Sequence, residues 1–590
     1  MMDLPVSRVL LLGLSTVATP IGLATLGLLA VLLHRLYFIQ GEHHMKASIY
    51  FLSWISLCAI IYGTAFFAEF QAQAKDRKIF AAGPFMTTTL INCAFFGPLF
   101  TSMTIYRIFE HPLRHFPGPP MSAVSKLWHF ICVLGKQNHL LLEDLQKEYG
   151  PFVRTGPQEL TIFHPDVFQA IGGHGTSCIK APLYELMHPF ISINTLRTKQ
   201  GYAPRRKRWD EALGLSAPYI PDKPERVYHS VYLLLQQMRV WADSPVNVTV
   251  WFHHLSWDVM MNIGFGRTPD LTKDLRPDSK LEGITSLLMQ GIGMLRFFMP
   301  APWIGRLAIE AAPYVPFITQ RWNRALQWAA GMCDGRLDHD EDSNRPPDVF
   351  SRLIEAPKGN EEDPLLDREA LYGDAYAILI AGSHTTAGTL TMLTYELARR
   401  PEIQVEARKE VLKAGVQNLS SRNAPTSEAV RTVSWNKLPF LDGCINEAMR
   451  LYPALPTGGA RQTIDRAITI GGRYIPPWTT IVAPRWSIGR LEAAYDDPHE
   501  FIPERWTTKR HMVKCPQAFS PFADGRHTCP GKQLGMLEVR MVAAMILANF
   551  QFSLAPGKEN QTRAVDDLKD GFTATPGELS VVFTPIDDHA

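Results

Sequence analysis

Phe522-Ala523-Asp524-Gly525-Arg526-His527-Thr528-Cys529-Pro530-Gly531 sets one cysteine in a loop bounded by glycine and proline, and the run that follows, Gln533 to Met545, reads as helix. A thiol just ahead of a helix N-terminus lies at the positive end of the macrodipole, which favours the thiolate. Gly525 and Gly531 let backbone N–H groups turn toward the sulfur, and Arg526 and His527 add positive charge beside it. A thiolate held this way is a ligand for a redox metal. The alternative for this loop alone is a structural cysteine buried in a turn.

The rest of the chain narrows the choice. Its 590 residues carry a formal net charge of only +2, which gives no electrostatic case for nucleic acid. The eight cysteines are scattered, with neither a C-x-x-C pair nor a zinc spacing, so they form no disulfide framework and fit a reducing compartment. No Gly-x-Gly-x-x-Gly follows a strand-like run, so the chain has no dinucleotide fingerprint of its own.

Residues 1–110 read as a membrane anchor with two or three transmembrane helices, at about 9–33, 48–68 and 79–106. Val9 to Leu33 is a 25-residue run without a charge, interrupted by Pro20. A cleavable signal peptide would have one short apolar core and no further spans behind it. Both connecting loops are basic (Arg35 and Lys46, then Lys75, Arg77 and Lys78), so the positive-inside rule does not choose an orientation. Residues 111–120 hold Pro117, Pro119 and Pro120 and read as a stiff, extended, proline-rich hinge. Residues 121–590 form the third region, mainly α with small β-sheets.

Within that region, helical spacing of apolar residues predicts a helix from about Arg368 to Arg399, capped by Asp367 and stopped before Pro401. Its middle is Ala381-Gly382-Ser383-His384-Thr385-Thr386, poor in helix formers. The threonine hydroxyls can bond back to carbonyls one turn earlier and open the helix locally. Glu447-Ala448-Met449-Arg450 puts an acid and a base on one helix face, and Pro503-Glu504-Arg505-Trp506 follows before the cysteine loop. Asp338 to Asp367 reads as two acidic loops around a short helix at 348–354.

These four signatures, in this order, resemble the cytochrome P450 family of haem-thiolate monooxygenases. The family's cysteine loop is Phe, two residues, Gly, one residue, Arg, one residue, Cys, one residue, Gly; Phe522, Gly525, Cys529 and Gly531 match, while His527 stands at the arginine position. The resemblance spans roughly residues 106–585 and implies the cytochrome P450 fold. It implies haem b with the Cys529 thiolate as axial iron ligand, and Thr385 as the threonine that hydrogen-bonds bound dioxygen. His384 replaces the family's relay acid, and imidazole can itself shuttle protons. Glu447, Arg450 and Arg505 are implied to form a buried cluster holding the cysteine loop. Arg461, His527 and, in a looser match, Arg206 are the candidates to meet the haem propionates, with Phe522 and Gly531 shaping the cofactor site. By the same analogy the substrate pocket draws on Pro182–Pro204, Leu288–Trp303, Tyr376–Ile380, Ala454–Ala460 and Phe572–Ala574.

The function so implied is a monooxygenase that oxidises a hydrophobic small molecule with O₂. Its electrons come from a separate NADPH-dependent cytochrome P450 reductase, with cytochrome b5 as a second candidate donor. The implied location is the endoplasmic reticulum membrane with the catalytic domain facing the cytosol, and the overall style looks most like fungal secondary-metabolite enzymes (terpenoid, alkaloid or polyketide). Two rivals remain at this stage: a haem-thiolate isomerase or dehydratase that consumes no O₂, and a non-catalytic membrane scaffold.

Overall fold

The computed structural model describes residues 13–73, 83–187, 191–197, 199–214, 219–337, 346–355, 368–416, 430, 431, 433–557 and 559–586. It divides into two units: Met1–His129 with Arg154–Gln158 and Pro300–Pro313, and Phe130–Val153 with Glu159–Met299 and Tyr314–Ala590.

The smaller unit is built on helices α1 (Pro20–Leu33), α2 (Ala47–Gln73) and α3 (Gly83–Ile105). With their continuations, all three are long and apolar enough to cross a membrane. Pro20, read from the sequence as an interruption, instead starts α1: it takes the first helical position, where no N–H is needed, and Thr19 caps the end by accepting from Gly22 N. In α3, Gly27 of α1 packs against Pro98, His34 Nδ1 meets Ser102 Oγ at 2.8 Å, and Arg35 pairs with Glu110. Numbers rise together along both helices, so α1 and α3 run parallel. Between α2 and α3 they run oppositely: Trp54 stacks edge-on to Phe96, and Cys58 reaches Asn92. Trp54 Nε1 also donates to Asn92 Oδ1 at 2.8 Å, satisfying polar groups that an apolar solvent would leave bare.

The proline-rich segment is less extended than its composition suggests. Pro112–His115 forms a 3₁₀ turn capped by His111, and Pro120 opens the short helix Pro120–Val124, because proline's fixed φ suits a first helical position.

The larger unit is mostly helical with small sheets, as the sequence predicts. Its helices include α4 (Lys199–Leu213), α5 (Val248–Phe265), α6 (Gly283–Phe298), α7 (Pro316–Leu337), α8 (Arg368–Ala398), α9 (Pro439–Leu451) and α10 (Lys532–Asn549). α8 is buried along most of its 31 residues and packs against α5. Gly382 permits that approach, since a Cβ there would lie 2.6 Å from Met260 Cε. The candidate cap Asp367 lies outside the described residues, as do the loops flanking Val349–Ile354, whose cap Asp348 accepts from Ser351 N at 2.7 Å.

Four strands of a five-stranded sheet lie side by side in the larger unit. β1 (Glu159–Ile162) runs parallel to β4 (Thr480–Val482), which pairs antiparallel with β3 (Arg461–Gln462), and β3 with β2 (Ile179–Lys180). Their register sets Lys180 opposite Arg461. A hairpin of β5 (Lys569–Gly571) and β6 (Thr573–Thr575) brings Thr573 to α8.

Candidate active site

α8, α10 and the loop ahead of α10 enclose a cavity of about 390 Å³. Phe522, Cys529 and Gly531 line it from the loop, and Tyr376–Ile378, Ile380–Gly382 and Thr385 line it from α8. Gly525 has φ +62°, and any Cβ there would collide with Gly172 O, so this turn of the loop requires glycine. Gly531, by contrast, sits at an ordinary φ of −85° as the N-cap of α10; what it offers is room, since a Cβ would lie 3.9 Å from Cys529 Sγ. Arg526 ties the loop down by donating to Thr176 O at 3.1 Å and Cys178 O at 2.7 Å.

Cys529 is exposed, and the surface it exposes lies in this cavity. Enclosure by protein pushes its thiol pKa up, while the Gly531 and Lys532 N–H groups and the charges of Arg206 and Lys532 pull it back toward the thiolate. The positive charge near sulfur therefore comes from Arg206 and Lys532. His527 does not supply it: burial, then Arg461, Lys180, Arg526 and Arg206, push its pKa down to about 2 and leave the imidazole neutral.

Four basic side chains line the cavity: Lys180, Arg461, Arg485 and His527. Arg461 Nη1 donates to Gly459 O at 3.0 Å, but its buried Nε has no partner, nor has His527 Nδ1. Lys180 donates to Ile193 O at 2.7 Å, and burial, then Arg461 and Arg206, hold its pKa well below the usual lysine range. Arg485 reaches Ser520 O at 2.8 Å and is pushed down to about 10 by burial and then by Arg461. Among the described residues the only acid on this wall is Glu538, whose pKa burial raises to about 8 despite a 2.7 Å bond from Ser256. So the wall carries cations and no anion at neutral pH.

Arg206 does not join them. Its fork is taken by Asp210 at 2.8 Å, by Tyr202 Oη at 3.2 Å and by Thr528 O, so it braces the back of the cysteine loop. Lys180 and Arg485, which the sequence did not single out, do line the cavity. A reading of spacing alone misses both, because each reaches the cavity through sheet register or a long-range fold.

On α8 the threonine hydroxyls do bond back: Thr385 to Ala381 O at 2.7 Å, Thr386 to Gly382 O at 2.9 Å and Thr389 to Thr385 O at 2.9 Å. The helix nevertheless stays continuous, because α5 packs against it throughout the segment. Thr385 faces the cavity; His384 does not. His384 is 1% exposed, and its ring nitrogens end on Thr573 Oγ1 (2.5 Å) and Thr575 Oγ1 (3.2 Å). A direct proton relay from this ring to the cavity, expected from its place in the motif, is corrected by that geometry.

Glu447, Arg450 and Arg505 come together with both ion pairs fully buried, at 2.7 and 2.8 Å. Glu447 also accepts from Ile502 N (3.0 Å) and Trp506 Nε1 (2.9 Å), and the arginines donate their remaining N–H groups to Gly489, Asp496, Asp497, Pro498 and Glu500 carbonyls. The cluster thus fixes segment 489–506 and reaches toward the cysteine loop through Trp506, whose ring lies 4.4 Å from Phe519. Of the pocket segments expected by analogy, Tyr184, Ser192–Thr195, Tyr202, Tyr376–Ile378, Ile380, Ala454 and Phe572 line the cavity. Among the described residues none of the lining comes from Leu288–Trp303; α7 contributes Leu326 and Ala329.

An open thiol, the unpartnered buried N–H of Arg461 Nε, the unpartnered His527 Nδ1 and an unbalanced set of cations fit an iron porphyrin with its two carboxylates. Such a helical domain defines a haem-thiolate protein. A sequence profile of the cytochrome P450 family matches residues 117–583. Tryprostatin B 6-hydroxylase of Aspergillus fumigatus is 31% identical over 95% of this chain and 96% of its own length. The cytochrome P450 monooxygenase notG' of Aspergillus versicolor is 30% identical over 99% of each. The crystal structure of the cytochrome P450DA haem domain shares the fold, with a TM-score of 0.63 at 17% identity over 80% of this chain and 98% of that one. The chain belongs to the cytochrome P450 family, and it is a haem monooxygenase that oxidises a small molecule.

Proposed function

We propose that this monooxygenase acts on a hydrophobic substrate of fungal secondary metabolism, at the endoplasmic reticulum membrane, with its catalytic domain in the cytosol. The observation that carries the reading is one largely apolar cavity with Cys529 and Thr385 both on its wall. Residues 1–110 serve as a three-span anchor, 111–120 as the link and 121–590 as the catalytic domain. The names of the relatives support a small metabolite as substrate.

Cys529 would hold haem iron through its thiolate, and Arg461, His527, Lys180 and Arg485 are the side chains that would meet its propionates. The bound haem supplies activation of O₂ for attack on a C–H bond. The protein does the rest. Phe522 and Leu534 give apolar surface to the cofactor, and Tyr376, Ile380 and Phe572 keep water from the substrate and orient it. Thr385 Oγ1 donates to Ala381 O, which leaves its oxygen lone pairs as a hydrogen-bonding group at the cavity wall. Electrons arrive from an NADPH-dependent cytochrome P450 reductase, with cytochrome b5 as a second donor.

Reduced protein treated with carbon monoxide is expected to show the red-shifted Soret band of thiolate ligation, and Cys529→Ala to lose it. With reductase present, NADPH-dependent O₂ uptake should rise on addition of substrate. A normal band in the Cys529→Ala protein ends the ligand assignment, and product formation without O₂ uptake moves the enzyme to the isomerase or dehydratase class.

A further inference from the structure

We infer that Phe572 is a specificity-determining residue, a ring carried on a strained backbone that forms a fixed end-stop for the substrate. The inference rests on reading this cavity as the substrate site. Among the described residues six that are not glycine adopt a positive φ, and two of them, Ala523 and Phe572, line the cavity. Ala523 brings only a methyl group, so Phe572 is the one with a large side chain to place there. Its φ is +80°. A bulky residue rarely takes that conformation, because its Cβ crowds the backbone, whereas glycine takes it freely.

In the β5–β6 hairpin Gly571 pairs with Thr573, and Phe572 stands alone at the tip. Both strands are fastened to the segment that carries Ala454 and Leu455 along the same cavity wall. Ala574 N donates to Ala454 O at 2.8 Å, and Thr457 Oγ1 donates to Asp570 Oδ2 at 2.7 Å. Asp570 N donates in turn to Gln137 Oε1 at 3.1 Å. A Cβ on Gly458 would lie 3.3 Å from Phe572 O, so the carbonyl of the tip is seated on that segment as well. The Phe572 ring meets Tyr184, a buried residue of the same wall, edge-on at 85° with centroids 6.0 Å apart. Strain of this kind persists where the surrounding structure over-determines the conformation, and it collects at ligand clamps. Glycine at the tip would relax the hairpin and leave the wall without its ring. Phenylalanine keeps the wall, at a cost in stability.

A ladder of 1-alkylimidazoles, from methyl to decyl, tests the idea on the haem-loaded full chain. The imidazole nitrogen ligates iron and shifts the Soret band, so the tail reports how far the apolar space extends. Affinity is expected to rise about four-fold for each added methylene and then to level off where the tail meets the Phe572 ring. Phe572→Ala and Phe572→Gly both remove the ring and should carry the rise on to longer tails. Only the glycine protein is also relieved of strain, so its urea midpoint should lie above that of the alanine protein. A plateau at the same tail length in all three proteins overturns the end-stop. A glycine midpoint at or below the alanine one overturns the strain. The thiolate carbon monoxide band is recorded beside each titration: with the band present, an unchanged plateau rejects Phe572 alone, and a wild type without the band rejects the reading of the cavity itself.

Discussion

Arg461 and Arg206 carry the same guanidinium, yet only Arg461 has a buried N–H still to be satisfied. Arg461→Leu is expected to lower haem bound per polypeptide several-fold, read by pyridine haemochrome absorbance against protein. Arg206→Leu should keep haem and instead lower the melting temperature, because it frees Thr528 O and unpairs Asp210; equal haem loss in the two variants contradicts this division. Glu538 gives a pH signature. Its carboxyl binds a proton more tightly in the folded chain, at about 8, than the ordinary 4.5, so its contribution is full below 4.5 and is lost as pH rises through about 8. Glu538→Gln should therefore flatten the stability profile over that window and be more stable than wild type at its upper end, measured by urea unfolding. Cys529 and Thr385 were legible from sequence because short spacing alone puts them in a loop and on a helix face. His384 was not, because its neighbour in sequence, Thr385, takes the cavity-facing position, and the next residue on a helix points about 100° away.

Between elements, the Glu447–Arg450–Arg505 cluster is the clearest lever. Its charges are removed from water and one carboxylate serves two guanidiniums, so deleting Arg505 strips Glu447 Oε1 and the Asp496 and Asp497 carbonyls of their buried donor. Arg505→Leu is expected to cost about 3–5 kcal/mol of stability, seen as a lower urea midpoint, with haem lost as segment 489–506 loosens. A wild-type midpoint would show that Glu447 is satisfied by Arg450 and the backbone alone. The order of the two motifs made this cluster readable in advance. α6 was misread for a physical reason: its Met- and Phe-rich face is equally suited to a pocket wall or to packing, and periodicity gives the face without naming what covers it. Lys180 was unreadable because only the register of β2 against β3 brings it beside Arg461.

At the scale of the whole molecule, α1 and α3 run parallel and α2 runs against α3, and as the anchor proposed above these helices would make three crossings, an odd number. The two ends of that anchor would then lie on opposite sides of the membrane. With the catalytic domain cytosolic, a glycosylation sequon engineered into the N-terminal end should be modified in a eukaryotic host, while Asn247 and Asn560, both natural sequons in the larger unit, stay bare. Glycosidase-sensitive mobility mapped to Asn247 or Asn560 would reverse the orientation. One last feature bears on how fast ligands exchange. Ile193 has its N–H held by Asp374 at 2.9 Å and its carbonyl by Lys180 at 2.7 Å, and Asp374 is itself locked to Arg205 at 2.5 Å. The cavity wall at Ser192–Thr195 is therefore stapled at both backbone poles to α8 and β2. A swinging gate needs at least one free edge, and among the described residues of this wall both backbone edges of Ile193 are held.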